Sequence, residues 1–284
     1  MVDLSSERVH EFRPGLNRDA CRRGLFDFFR KPCMLQNLLN TTVGDLLVRL
    51  PAPLIKGRLL RRYKRFFADI ELADGTIVTA HTPNTGSMQQ CAIAGYPVLI
   101  SAANNPKRKL RYTLELIKVK DHWVDTHTQR TNRVVEEALN AGRIAGLSGY
   151  RLRPEFPFGA SRIDFLLESD YGNVLVEVKN VTLCQPEGCA CFPDAVTTRG
   201  QKHLLELMAA VEQGYRAVIF FLVQRAEAER FAPADHIDPA YGQLLRQAVN
   251  AGVEALAYRT EVTSAEVTVG RPIPVDLSLS KGER

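Results

Sequence analysis

The chain has 284 residues, 45% of them hydrophobic and 24% charged, with a net charge of +5. That is long for one cored domain and comfortable for two, and it is the balance of a globular chain rather than a disordered or fibrous one. No apolar run is long enough to cross a bilayer, and the polar start Met1-Val2-Asp3-Leu4-Ser5-Ser6 is no secretory signal, so a cytoplasmic protein without a membrane partner is expected.

The 6 cysteines show no regular framework, which fits free thiols in a reducing compartment. Charge is unevenly spread. Residues 51–120 hold twelve Lys/Arg against four Asp/Glu, while the remainder holds 25 basic against 28 acidic residues. A basic module joined to a module bearing an acidic, metal-type site points to a polyanion partner, most plausibly nucleic acid.

Residues 1–50 form an N-terminal extension with no element assigned. Arg22-Arg23-Gly24-Leu25-Phe26-Asp27-Phe28-Phe29-Arg30-Lys31 suits an amphipathic helix, an interaction arm, or a segment outside the fold. Asp3, Glu7, Glu11, Asp19 and Asp27 weaken an organelle-targeting reading.

Residues 51–128 read as strands and turns: Leu59–Leu72, Thr76–Ala80 after an Asp74-Gly75 turn, Pro97–Ser101, Leu110–Val119 and His122–Thr126. Five strands with short connections predict a small closed barrel of the oligonucleotide-binding type. The first strand carries Arg61, Arg62, Tyr63, Lys64 and Arg65 ahead of Phe66 and Phe67, and Lys107, Arg108 and Lys109 lead into another. Bases interleaved with aromatics suit a surface that tracks phosphates and stacks bases. Alternating charge is also what the wet side of any strand looks like, and Phe66 or Phe67 must fill the barrel. Their common location in the basic module favours nucleic acid. The loop His81–Met88, rich in turn formers and hydroxyls, either binds a phosphate or sugar or satisfies its own backbone.

Residues 129–284 begin with a helix around Asn132–Asn140. Glu136 shares the wet face with Arg133, Asn140 and Arg143, whereas Glu137 lies with Val134, Ala138, Ala141 and Ile144 on the packing face. An inward carboxylate wants a partner. Glu137 is either a third acid at a metal or is paired with a lysine or arginine.

The stretch Arg162–Lys179 reads as a β-hairpin, with Ile163–Leu167 and Val174–Val178 joined by the turn Ser169-Asp170-Tyr171-Gly172. If Glu168 and Asn173 close the turn, Asp164 falls opposite Glu177. Alternation then puts Ile163, Phe165, Leu167, Val174, Val176 and Val178 on an apolar face, and Asp164, Glu168, Glu177 and Lys179 on the other. Two carboxylates across a ladder sit roughly 5 Å apart and repel unless a divalent cation binds both. The oxygen-only ligand set suits Mg²⁺, with Mn²⁺ as substitute. Lys179 would hold water or neutralise charge growing on a phosphate. A hairpin with a simply solvated face is the competing reading.

A helix follows from an N-cap at Thr197 to Val211, with Gln201 on its packed face near the start, where with Lys202 it could position a phosphate or the attacking water. His203 reads as a surface or packing residue. Arg216–Val223 is an apolar strand buried on both faces, followed by a helix Pro239–Ala251 and a strand Val253–Tyr258. Together these predict an α/β (α+β) domain with a mixed sheet. Cys184, Cys189 and Cys191 could bind zinc or a cluster with His203 as a fourth ligand, but they lack the usual pair spacing of structural zinc sites and are read as incidental thiols.

With Asp164, Glu177-Val178-Lys179, Glu137 and Gln201 in order, the second domain resembles the PD-(D/E)XK nuclease fold, with Ile163 standing where the proline would be. From about Pro53 onward the chain resembles the bacterial sugar fermentation stimulation protein A family. The resemblance is carried by Arg62-Tyr63-Lys64-Arg65-Phe66, Pro83-Asn84-Thr85-Gly86, Ser161-Arg162-Ile163-Asp164-Phe165, Glu177-Val178-Lys179, Phe192-Pro193-Asp194-Ala195, Arg199-Gly200-Gln201-Lys202-His203-Leu204 and Arg216-Ala217-Val218-Ile219-Phe220-Phe221. It implies an oligonucleotide-binding barrel before a nuclease-like domain, non-specific DNA binding, and a suggested regulatory part in sugar, especially maltose, metabolism. The expected function is DNA binding, with Mg²⁺-dependent phosphodiester hydrolysis as the alternative. In that alternative Asp164, Glu177 and Glu137 hold the metal while Lys179 and Gln201 orient water.

Overall fold

The computed structural model describes residues 47–278 apart from 106, so the stretch at 22–31 lies outside the described residues. After a short strand β1 (Val48–Arg49) come β2 (Leu54–Tyr63), β3 (Phe67–Leu72), β4 (Ile77–His81), β5 (Pro97–Ala102), β6 (Tyr112–Val119) and β7 (His122–Asp125). They form one sheet in the order β4-β3-β2-β5-β6-β7, which a parallel pairing of β4 with β6 closes into a barrel. Leu59, Ile70, Ile100, Leu114, Ile117 and Val124 fill its interior.

One expected strand is two. Tyr63 pairs with Phe67 across a turn in which Lys64 and Arg65 both adopt positive φ, 48° and 63°. Glycine and asparagine normally mark such a turn. Here two long basic residues make it, and the run of charges and aromatics conceals it.

The chain continues through α1 (Thr128–Asn140), β8 (Arg151–Phe158), β9 (Ser161–Glu168), β10 (Val174–Val181), β11 (Leu183–Cys184), β12 (Cys189–Phe192), α2 (Thr198–Glu212), β13 (Arg216–Val223), β14 (Arg230–Pro233), α3 (Pro239–Asn250), β15 (Glu254–Val262) and β16 (Glu266–Ile273). The central sheet has the order β1-β16-β15-β13-β10-β9-β8. It is mixed, since β10, β13 and β15 run parallel while the hairpins β8–β9, β9–β10 and β15–β16 are antiparallel. Val48 pairs with Val267 and is buried with Leu50 in the second domain's core, so the chain joins that sheet before it enters the barrel.

Alternation along β13 shows why the sheet is covered twice. Val218, Phe220 and Leu222 pack with Val134, Val135 and Ala138 of α1. Ala217, Ile219, Phe221 and Val223 pack with Leu204 and Leu207 of α2 and Leu245 of α3. Both faces of the strand are therefore apolar, as its sequence predicts.

Phe165, Leu167, Val174, Val176 and Val178 share one apolar face, as alternation predicts, and it is this face that meets α1, while Ile163 packs on the α2 side. The other face of the hairpin is not solvated either. Leu166 and Leu175 are buried there beneath α2, so Glu177 and Lys179 emerge on a covered surface.

The loop after β4 joins the two domains. Asn84 Oδ1 accepts the Gly86 N–H, and Ser87 Oγ and the Met88 N–H both donate to Asp194 Oδ2, at 3.1 Å each. No helix among the described residues is long and apolar enough to cross a membrane.

Candidate active site

The β9–β10 ladder pairs Val174 with Leu167, Leu175 with Leu166 and Val176 with Phe165, and the strands part beyond that point. The ladder agrees with the turn arithmetic over those three pairs and ends one position short of an Asp164–Glu177 pair. Asp164 occupies the opening. Its Oδ2 accepts the Val178 N–H at 2.7 Å, and its Oδ1 accepts Asn132 Nδ2, from α1, at 2.7 Å. Burial first, and then the neighbouring charge of Glu177, push the Asp164 carboxyl up to about 6.

Glu177 is buried, and its two oxygens differ. Oε1 accepts Lys179 Nζ at 2.5 Å and also pairs with His203 Nδ1. Oε2 is buried with no partner. Burial opposes ionisation of this carboxyl, yet the His203 hydrogen bond and the Lys179 ammonium outweigh it and hold Glu177 below the usual range. Arg199 Nε donates to His203 Nε2 at 3.4 Å, which leaves the imidazole proton on Nδ1, facing Glu177.

An open cleft of about 550 Å³ has Asp164 and His203 in its wall, with Arg162, Arg199, Lys202 and Glu155 around it, and Glu177 lies behind His203. Lys202 Nζ also donates to the Ala160 carbonyl at 3.1 Å. Three cationic side chains about a carboxylate suit an anion brought to a bound cation. The donor set also fits a divalent cation, because Glu177 Oε2 is an unsatisfied hard oxygen and Asp164 strains against the charge of Glu177.

Glu137 does not join this pair. It forms an ion pair with Arg143, and Glu266 is its other charged neighbour. Among the described residues no group of three metal-capable His, Cys, Asp or Glu side chains forms. The inward face of α1 is long enough to carry two polar groups to different places: Asn132, near its start, reaches Asp164, and Glu137 meets Arg143 of the following loop. Gln201 also has other work. Its Nε2 donates to both oxygens of Asp238, at 3.0 and 3.2 Å, and Asp238 in turn caps α3 through the Tyr241 N–H.

His203 and Asn132 complete the site and were not expected there. For His203 the available signal was its place one turn after Arg199 on a helix facing β10. Asn132 carried no signal, since its reach depends on how α1 crosses the sheet.

In the barrel, Arg62 is not a surface cation. Its guanidinium donates to the carbonyls of Arg65, Asn84, Gly86 and Ser87 at 2.7 to 3.1 Å and so holds the interdomain loop. Arg61 pairs with Asp69 at 2.7 Å and lies over the Tyr63 ring, whose hydroxyl also donates to Asp69. Lys64, Arg65, Lys107, Arg108 and Lys109 are exposed. Cys184, Cys189 and Cys191 are buried free thiols, and His203 is engaged with Glu177, so among the described residues they form no metal-capable group together.

Comparison with known proteins agrees with this architecture. The family model described as "SfsA N-terminal OB domain" matches residues 60–125, and the "Sugar fermentation stimulation protein RE domain" matches residues 129–266. The sugar fermentation stimulation protein homolog of Syntrophotalea carbinolica is 64% identical over 228 residues, covering 80% of this chain and 99% of that protein. The homolog from Geobacter sulfurreducens is 56% identical, covering 80% and 97%. Pyrococcus furiosus SfsA, solved in complex with Ca²⁺, aligns with a TM-score of 0.74 at 28% identity, over 81% of this chain and 98% of that one.

Proposed function

The chain belongs to the sugar fermentation stimulation protein family, and from that membership and the Asp164–Glu177 pair we propose that it is a divalent-cation-dependent hydrolase of nucleic-acid phosphodiesters. The observation that carries the reading is the buried, unpartnered Glu177 Oε2 beside a carboxyl pushed up to about 6. A buried carboxylate oxygen without a hydrogen bond costs stability, and a site retains one where a cation takes up the lone pair. The Ca²⁺ held by the P. furiosus relative supports a divalent cation.

Asp164 and Glu177 would hold the cation, Mg²⁺ or Mn²⁺ during turnover. Such a cation, when bound, supplies Lewis-acid stabilisation and lowers the pKa of water. Asn132 and the Val178 N–H fix the Asp164 carboxylate, and His203 with Lys179 fixes that of Glu177. Arg162, Arg199 and Lys202 neutralise the phosphate backbone as it enters the cleft. Lys179, 2.5 Å from Glu177, would balance charge developing on the reacting phosphate.

A second reading, a DNA-binding protein that does not cut, is favoured by the exposed bases Lys64, Arg65, Lys107 and Lys109 on the barrel. In that reading any influence on sugar metabolism acts through DNA binding. One titration separates the two. Wild type and Asp164→Ala are mixed with labelled single-stranded and duplex DNA in Mg²⁺, Mn²⁺ or chelator, and both retention and cleavage are scored. Cleavage that needs the cation and Asp164 supports hydrolysis. Retention without cleavage, indifferent to chelator, supports binding alone.

A further inference from the structure

A second cleft, of about 580 Å³, lies where the barrel meets the start of α1. Its wall includes Phe66, His81 and Thr82 of the barrel, Arg108 of the β5–β6 loop, and His127 and Thr128 at the helix start.

Four features of this cleft look toward a ligand. The N-terminus of α1 opens here with no side-chain cap and no acid in its first turn, and Asp125, just before it, takes the N–H of His127 at 2.9 Å while the first-turn N–H groups beyond stay without a side-chain acceptor. Thr82 is fully buried, and its Oγ1 has no partner. His127 Nδ1 is likewise buried and unpartnered. Phe66 is 45% exposed although aromatic, and its ring lies within 5° of parallel to that of His81, with centroids 6.5 Å apart.

Two acids lie near the cleft, Glu115 in its wall and Asp125 at the start of α1, and both are paired with Arg130. Both oxygens of Glu115 are engaged, Oε1 with Ser101 Oγ at 2.6 Å and Oε2 with Arg130. Arg108 uses one terminal nitrogen on Thr113 Oγ1 at 3.0 Å and stays exposed at the rim. A helix N-terminus, an arginine and unsatisfied polar groups suit a phosphate. A half-exposed aromatic ring beside them suits a base.

We propose that this cleft binds one nucleotide, with its phosphate at the α1 N-terminus and Arg108, its sugar or phosphate oxygens on Thr82 and His127, and its base on Phe66. The nucleotide is either free or one unit of a strand. Thr128 and Asn132 are four residues apart on α1, a rise of roughly 6 Å, so the cleft lies about one nucleotide step from the residue that holds Asp164. The binding stands whether or not the acid pair cuts.

Calorimetric titration of the full chain in chelator, where cation-dependent cleavage is silent, tests this. The probes are inorganic phosphate, adenosine, adenosine 5′-monophosphate and a short oligodeoxyadenylate. The monophosphate should bind more tightly than phosphate or adenosine. Phe66→Ala and Arg108→Ala, both at exposed positions, should each weaken it about tenfold or more. Arg151→Ala, an exposed charge on β8, should leave it unchanged. An oligonucleotide that binds more tightly and loses affinity in the same two variants identifies a strand as the source, whereas equal affinity identifies a free nucleotide. The proposal is overturned if the monophosphate binds no better than phosphate, or if neither variant changes its affinity.

Discussion

Asp164 accepts the backbone N–H of Val178 at 2.7 Å, at the point where β9 and β10 stop pairing. A side chain thus does the work of a missing ladder carbonyl, and the same carboxylate faces the cleft. Structure and proposed chemistry meet in one group, which makes its variants informative.

Asp164→Asn retains an oxygen for the Val178 N–H but loses the charge, while Asp164→Ala loses both. We expect the alanine variant to be destabilised by about 1–3 kcal/mol, the usual cost of orphaning a buried N–H, and the asparagine variant by less. Wild type should show a Mn²⁺-induced rise in melting temperature, and both variants should lose it. If asparagine retains that rise, Asp164 is not a cation ligand.

His203 holds Glu177 and does not itself line up with a ligand role, so it acts as a positioning residue. His203→Ala should weaken Mn²⁺ binding by roughly 10- to 100-fold, as loss of a group that orients a ligand does. His203→Gln, which retains a donor, should recover part of that affinity. A stability loss with unchanged Mn²⁺ affinity would assign His203 to packing alone. Calorimetry beside urea denaturation reads both quantities.

Arg62 and the neighbouring exposed bases should separate cleanly. Arg62→Ala removes the donor to four carbonyls and is expected to cost about 2–3 kcal/mol in stability. Replacing Lys64 and Arg65 together should leave stability within about 0.5 kcal/mol, while lowering DNA affinity and the salt slope by about two phosphate contacts. An unchanged slope in the double variant would remove this turn from the DNA-contacting surface.

Asp125 gives a pH dependence away from the acid pair. It pairs with Arg130 at 2.6 Å, shares that guanidinium with Glu115, and accepts the His127 N–H. Burial dominates and pushes its carboxyl up to about 6. The native state therefore keeps a proton that the unfolded chain releases near pH ~4, so this group's contribution is complete below about pH 4 and is lost as pH rises through about 6. Between about pH 4 and about pH 7.5, wild type should lose about 1–3 kcal/mol relative to Asp125→Asn in urea denaturation. A pH-independent difference would mean that Asp125 is ionised in the native protein throughout.

Much of this was legible locally. The hairpin register, as far as the Val176–Phe165 pair, follows from a turn and a two-residue alternation, and the strand Arg216–Val223 declares itself by being apolar from Ala217 onward. The Thr197 cap of α2 also reads directly, since Thr197 Oγ1 accepts the Gly200 N–H at 3.0 Å. Such features depend on neighbours a few residues away, so the sequence by itself determined them, along with the family and the two-domain order. What it could not determine is where side chains go once elements pack. Glu137 was correctly an inward residue, but the crossing of α1 over the sheet gave Asp164 to Asn132 and left Glu137 to Arg143. Arg62 sits in a run of bases and became an interdomain clamp because Lys64 and Arg65 turn the chain back. His203 reached Glu177 only because α2 covers a face that alternation alone made look wet. Local pattern fixes which face a residue occupies, whereas its partner is set by contacts between segments distant in the chain, and only the tertiary structure decides those.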